Sequence, residues 1–104
     1  MDQEEELLRE HKLRRQELEN QEDDIKDLER TTQQIASEAY SELRFTLSDI
    51  SESVDSLNEA RIELAHLEED VLDQLSYEKK KVQEQKDDNE DYYRRELKKL
   101  READ

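Results

Sequence analysis

Glu63-x-x-His66 places an acid and an imidazole one helical turn apart, the spacing that di-metal carboxylate bundles use on two of their helices. Here the motif occurs singly. Neither Glu63 nor His66 has a matching partner, and the only other histidine, His11, is far away in sequence. Glu68, Glu69 and Asp70 beside His66 add oxygens without adding geometry. Because the 104 residues include 32 Asp and Glu, the spacing of carboxylates carries no information, and His66 reads as a surface histidine. Asp87, Asp88, Glu90 and Asp91 crowd together but lack the glycine and the spacing of a calcium loop, so they read as a solvated helix face. The chain has no Gly, no Pro and no Cys. Phosphate-cradling loops and nucleophile elbows lean on glycine, and disulfides, thiolate metal sites and redox centres need cysteine. No catalytic, cofactor or metal residue is assigned, and the chain is expected not to be an enzyme.

One pair of side chains asks for a different kind of chemistry. Tyr92 and Tyr93 are adjacent aromatics in an otherwise polar stretch, and something must cover them. Either they close over Leu7 and Leu8 of the same chain, or they anchor a partner or an export machine.

The elements that would position these residues are helices. Charged residues make up 47% of the chain and apolar ones 31%, at a net charge of −15. That balance borders on disorder, yet strong helix formers dominate and the apolar residues are periodic. A first stripe runs through Leu7, Leu18, Ile25, Leu28, Ile35 and Ala39, with His11, Gln21 and Thr32 at weak seam positions. A second runs through Leu43, Leu47, Ile50, Val54, Leu57, Ala60, Leu64, Leu67, Val71 and Leu75, then thins to Val82, Tyr92 and Tyr93, Leu97 and Leu100. Alternating steps of three and four are the heptad pattern of helices packed side by side. The four-residue step from Ala39 to Leu43 is a stutter, expected to unwind any supercoil locally. Acid-first pairs at i,i+4 (Glu5–Arg9, Glu10–Arg14, Glu22–Lys26, Glu90–Arg94, Asp91–Arg95) support the helical reading of the outer faces.

Composition divides the chain in three. Residues 1–30 carry 12 acids, 6 bases and 7 apolar residues; residues 31–76 carry 11 acids, 2 bases (Arg44, Arg61) and 18 apolar residues; residues 77–104 carry 9 acids, 9 bases and 7 apolar residues. The core-forming material is therefore central, and both ends read as solvated arms. Between Thr46 and Ser56 the polar residues are those that cap helices and compete with them for backbone, with capping-box spacing at Asp49-x-x-Glu52 and Ser56-x-x-Glu59. If the chain reverses there, residues whose numbers sum to about 100 face each other: Leu47 with Val54, Leu43 with Leu57, Ile35 and Ala36 with Leu64 and Ala65, Leu28 with Leu72, Ile25 with Leu75, Leu18 with Val82, Leu7 and Leu8 with Tyr92 and Tyr93. The polar stretch 83–91 falls opposite 9–17. This mirrored hydrophobicity predicts an all-α, coiled-coil-like antiparallel two-helix hairpin in a single domain, with helix 1 over about 3–47, a turn over about 48–53 and helix 2 over about 54–102. An antiparallel homodimer of unbroken helices would share the register, as a rod of roughly 150 Å against roughly 70 Å for the hairpin.

Such a seam is narrow and the hairpin marginal alone. The apolar band is also too wide for two helices. Adjacent pairs at Leu7-Leu8, Ile35-Ala36, Ala39-Tyr40, Leu64-Ala65 and Val71-Leu72 allow one member to face the sister helix and the other a flank, as in larger helical bundles. The expected partner-binding residues are therefore Leu7, Leu8, Ile35, Tyr40, Leu43, Leu47, Ile50, Val54, Leu57, Leu64, Val71, Leu72, Tyr92, Tyr93 and Glu96. The partner is expected to be a helical protein, with a homodimer or homodimeric four-helix bundle possible when the chain is alone. So negative a surface repels nucleic acid and anionic membranes. Met1–Glu6 has no basic segment or apolar run, so no signal peptide is expected, and nothing later is apolar enough to span a bilayer; these features fit the cytoplasm.

The arms also resemble a known family. Tyr77-Glu-Lys-Lys-Lys-Val82 through Glu90-Asp-Tyr-Tyr-Arg-Arg-Glu-Leu97 looks like the C-terminal helix of small accessory proteins encoded beside LXG toxins of Gram-positive type VIIb secretion systems, and Glu6-Leu-Leu-Arg-Glu10 with Arg15-Gln-Glu-Leu18 looks like their first helix. The resemblance spans about two thirds of the chain in Glu/Lys/Leu-rich helix. It implies a cytoplasmic targeting factor or chaperone that binds the helical N-terminal LXG domain of a toxin together with a second small WXG-like protein. Tyr92-x-x-x-Glu96 resembles the Tyr-x-x-x-acid export signal of WXG-type substrates. The chain departs from that pattern in having no Trp-x-Gly turn, which puts the turn geometry and its own secretion in question. The competing reading is a homo-oligomeric coiled-coil scaffold.

Overall fold

The computed structural model describes residues 2–49 and 54–103. Two long helices account for nearly all of them: α1, Gln3–Asp49, and α2, Val54–Glu102. They pack antiparallel, giving an all-α helical hairpin. Helix α1 continues two residues past the expected end at 47. Of the expected turn, Ser48 and Asp49 are helical, while residues 50–53, including the expected site residue Ile50, lie outside the described part.

Local chemistry explains why such polar sequence stays helical. Asp2 caps α1, its carboxylate accepting the Glu4 N–H at 3.2 Å and its carbonyl the Glu6 N–H at 3.1 Å. Glu4, Glu5 and Glu6 then sit at the positive end of the helix dipole, and Lys99 and Arg101 at the negative end of α2. Hydroxyls that would compete with the helix turn back onto it: Thr32 donates to the Leu28 carbonyl at 2.7 Å, and Ser48 to that of Phe45 at 2.8 Å.

The chain divides into two compact units, and each uses both helices. The arm unit comprises Met1–Ile25 and Glu78–Asp104; the middle unit is Lys26–Tyr77. In the arm unit Leu7, Leu18, Ile25 and Val82 are buried, Leu18 completely, and His11 is buried with them. In the middle unit no described residue is buried; the inward positions are half-buried and include Ala36, Ala39, Leu43, Leu57, Leu64 and Leu72. Among the described residues, no helix is long and apolar enough to cross a membrane.

The seam does not always follow the apolar stripe. Glu22, Glu29, Ala36, Glu68 and Leu72 are half-buried, whereas Gln21, Leu28, Ile35, Leu67 and Val71, expected at the seam, are exposed. In each case the inward position falls one residue later, so carboxylates take three places where the apolar pattern puts Gln or Leu.

Candidate functional site

In the arm unit the stretch read as a polar gap is a polar cross-link. His11 projects from the buried face of α1. Its Nε2 lies 3.1 Å from a Glu90 carboxylate oxygen, and the Asn89 side-chain amide lies 3.1 Å from its Nδ1. The same amide donates to the His11 carbonyl at 3.3 Å. With the Asn89 amide nitrogen donating, Nδ1 accepts and Nε2–H donates to Glu90. The Tyr93 ring stacks on the imidazole at 4.4 Å between centroids and 19° between planes. Further along, Lys86 pairs with Glu22 at 3.0 Å, and Arg101 with Glu4 at 3.3 Å. The cluster ties one helix to the other within the arm unit.

The two tyrosines part company. Tyr93 covers His11, while Tyr92 is half exposed beside Leu7 in a small cleft that His11 and Asn89 also line. Leu8 faces outward with Leu13, between Glu5, Arg9 and Lys12. Glu96 is half-buried and paired with Lys99 at 3.2 Å. Four of the expected i,i+4 pairs give way to other partners: Arg9 takes Glu6, Arg14 takes Glu17, and Glu22 and Glu90 reach across to α2 and α1 respectively, while Arg15 with Glu19 and Arg30 with Asp27 are further pairs.

The middle unit carries the remaining expected site residues. Tyr40, Leu43, Leu47, Leu57, Leu64 and Leu72 are half-buried; Ile35, Val71 and Val54 are exposed, Val54 by 75%. On one side of the helix pair an open groove of about 380 Å³ runs between Ala36, Ser37 and Tyr40 of α1 and Leu64 and Ala65 of α2. Arg61 and Glu68 rim it, with the Arg61 guanidinium 5.9 Å from the Tyr40 ring centre. Ser37 and Ala65 each follow a half-buried residue by one position. A step of one residue rotates about 100° on a helix, and on antiparallel helices equal steps turn to the same side. Residues that precede the inward positions by one therefore lie on the opposite side. These are Leu28, Ile35, Leu67 and Val71, all exposed aliphatics.

The chain matches no protein-family model, no curated protein and no solved structure. Its function must be argued from its surface. Four of the five adjacent apolar pairs are split between inside and outside: Leu7, Ala36, Leu64 and Leu72 turn inward, and Leu8, Ile35, Ala65 and Val71 outward. Both Ala39 and Tyr40 are half-buried. Among the described residues no group of three or more His, Asp or Glu side chains converges as a metal cage would need. The His11 cluster was the feature the sequence concealed. Its signal was there in His11 at a seam position opposite Asn89, but polar partners across a seam leave no hydrophobic periodicity.

Proposed function

We propose that this chain is a non-enzymatic helical adaptor or chaperone. It binds the helical N-terminal domain of an LXG-type toxin, together with a second small WXG-like protein, and helps target the toxin for type VIIb secretion from the cytoplasm. One observation carries the adaptor part of this reading: the most apolar stretch of the chain is the one in which no described residue is buried. Eight large hydrophobics of the middle unit, among them Leu28, Ile35, Phe45, Ile62 and Leu67, are exposed by 45% or more. So many exposed large apolar side chains in one unit mark an interaction site. A helical surface with apolar side chains on both flanks is completed by further helices, as in a bundle. The arm residues quoted above supply the identity of the client.

Expressed alone, the chain should give strong helical circular dichroism and a weak, broad melt. Co-expressed with the N-terminal domain of an adjacent LXG toxin, it should purify as a tight complex with a sharp melt. A sharply melting homodimer indifferent to that domain would establish the scaffold reading instead.

A further inference from the structure

The two flanks of the middle unit differ in charge as well as in shape. The unit has 13 acids and 4 bases, and every base follows an inward residue by one position: Lys26 after Ile25, Arg30 after Glu29, Arg44 after Leu43, Arg61 after Ala60. All four therefore turn to the groove side, where Arg61 is seen lining the groove. The opposite side holds the aliphatics Leu28, Ile35, Leu67 and Val71. Its acids are Glu38, Glu42, Glu59 and Glu63, each one position before an inward residue, and Asp70, three positions after Leu67. All five are exposed, and among the described residues none of them enters an ion pair. This side is thus an aliphatic strip with an acidic rim and no cation of its own.

We infer that the aliphatic side of the middle unit at Leu28, Ile35, Leu67 and Val71 is the docking surface, and that its occupant is an amphipathic helix whose apolar stripe is bordered by Lys and Arg. The inference rests on the adaptor reading and adds the chemistry of the client. A second copy of this chain is the wrong occupant, because the same strip brought against itself sets acid rim on acid rim, with like charges inside one Debye length of about 8 Å. A basic-flanked helix satisfies both features together: its apolar stripe covers Ile35 and Leu67, and its cations meet Glu42 and Glu63. Complementary potentials of this kind also reject wrong partners.

The test uses the full chain and synthetic helices that share one Leu/Ala stripe and differ in their flanks: Lys/Arg, Gln or Glu. A fourth peptide keeps the Lys/Arg content but scrambles the stripe. Fluorescence anisotropy at physiological salt should rank the Lys/Arg helix first, about tenfold or more above the Gln helix, with the Glu helix and the scrambled peptide weaker still. Ile35→Ser with Leu67→Ser should abolish binding while leaving the helical dichroism unchanged, and Leu13→Ser, at an exposed site in the arm unit, should leave binding intact. Glu42→Lys with Glu63→Lys should reverse the order in favour of the Glu helix. If the Glu helix binds the unaltered chain as well as the Lys/Arg helix does, or the scrambled peptide binds equally, the inference fails and the adaptor reading stands. If no helix binds and the chain instead dimerises through Ile35 and Leu67, both fail.

Discussion

The arm unit and the middle unit are built from the same two helices and solve opposite problems. The arms hold 12 of the chain's apolar residues and the middle 20, yet among the described residues the buried side chains are all in the arms. What differs is who occupies the inward positions. In the arms Leu7, Leu18, Ile25 and Val82 point inward, and polar residues at other inward places find partners: His11 with Asn89 and Glu90, Glu22 with Lys86. In the middle, Ala36, Ala39 and Ala60 are small and Glu68 is charged, while larger aliphatics stand one residue to the side. Apolar content alone does not make a core. Registration with the seam does: in the middle unit Leu43, Leu57, Leu64 and Leu72 turn inward and reach only half-burial, while Leu28, Ile35, Leu67 and Val71 turn outward.

The sharpest way to break this contrast is to truncate one leucine in each unit. Leu18→Ala removes a completely buried side chain and should cost about 2–5 kcal/mol, much of the stability of so small a scaffold. Leu67→Ala, at a site 63% exposed, should change it by no more than about 0.5 kcal/mol. Urea unfolding followed by helical dichroism reads both, and equal losses would show that the middle is as consolidated as the arms. Hydrogen exchange gives the same contrast without mutation, since amides near Leu18 and Val82 should open more rarely than those near Ile35 and Leu67.

The polar cluster comes next in size. His11→Ala leaves Asn89 and Glu90 partly buried without their partner and should cost about 1–3 kcal/mol. His11→Phe keeps the stack on Tyr93 but loses both side-chain hydrogen bonds, so it separates the ring contribution from the hydrogen bonds. Nitrogen chemical shifts of labelled histidine should show the Nε2–H tautomer for neutral His11; an Nδ1–H signal would mean that the Asn89 amide presents its oxygen instead.

How much of this was legible in the sequence follows from the same contrast. Helical class and chain reversal were readable because mirrored apolar positions survive as a pattern of residue types: Ala36 and Leu64 do line one groove, and Leu7 and Tyr92 one cleft. The exact inward residue was not readable wherever an aliphatic stands next to the true seam position. Leu28 and Leu67 look like seam residues by type, and only the backbone phase reveals that Glu29 and Glu68 turn inward instead. The outward positions were only half legible, for a related reason. Pairs such as Ile35-Ala36 and Val71-Leu72 announce that one member must face outward, though not which. Ion pairs were the least legible part, because in a chain with 47% charged residues each base has several acids within reach.

The smallest expected effect concerns those ion pairs. Glu22 and Lys86 are 21% and 25% exposed, whereas Arg15 and Glu19 are 40% exposed or more. A double-mutant cycle with Gln at positions 22 and 86 should give a coupling of about 1 kcal/mol, near the upper end for pairs that water still reaches. The same cycle at 15 and 19 should give about 0.3–0.5 kcal/mol, as for other i,i+4 helix pairs. Raising salt to about 1 M shortens the Debye length to about 3 Å and should erase the second coupling while leaving part of the first. Exchanging the cross-helix charges, Glu22→Lys with Lys86→Glu, should restore most of the coupling, because either order matches opposite charges across the seam. If the exchange restores nothing while each single change costs the full amount, Glu22 and Lys86 act through packing of their stems, and the arms owe their order to apolar burial and the His11 cluster alone.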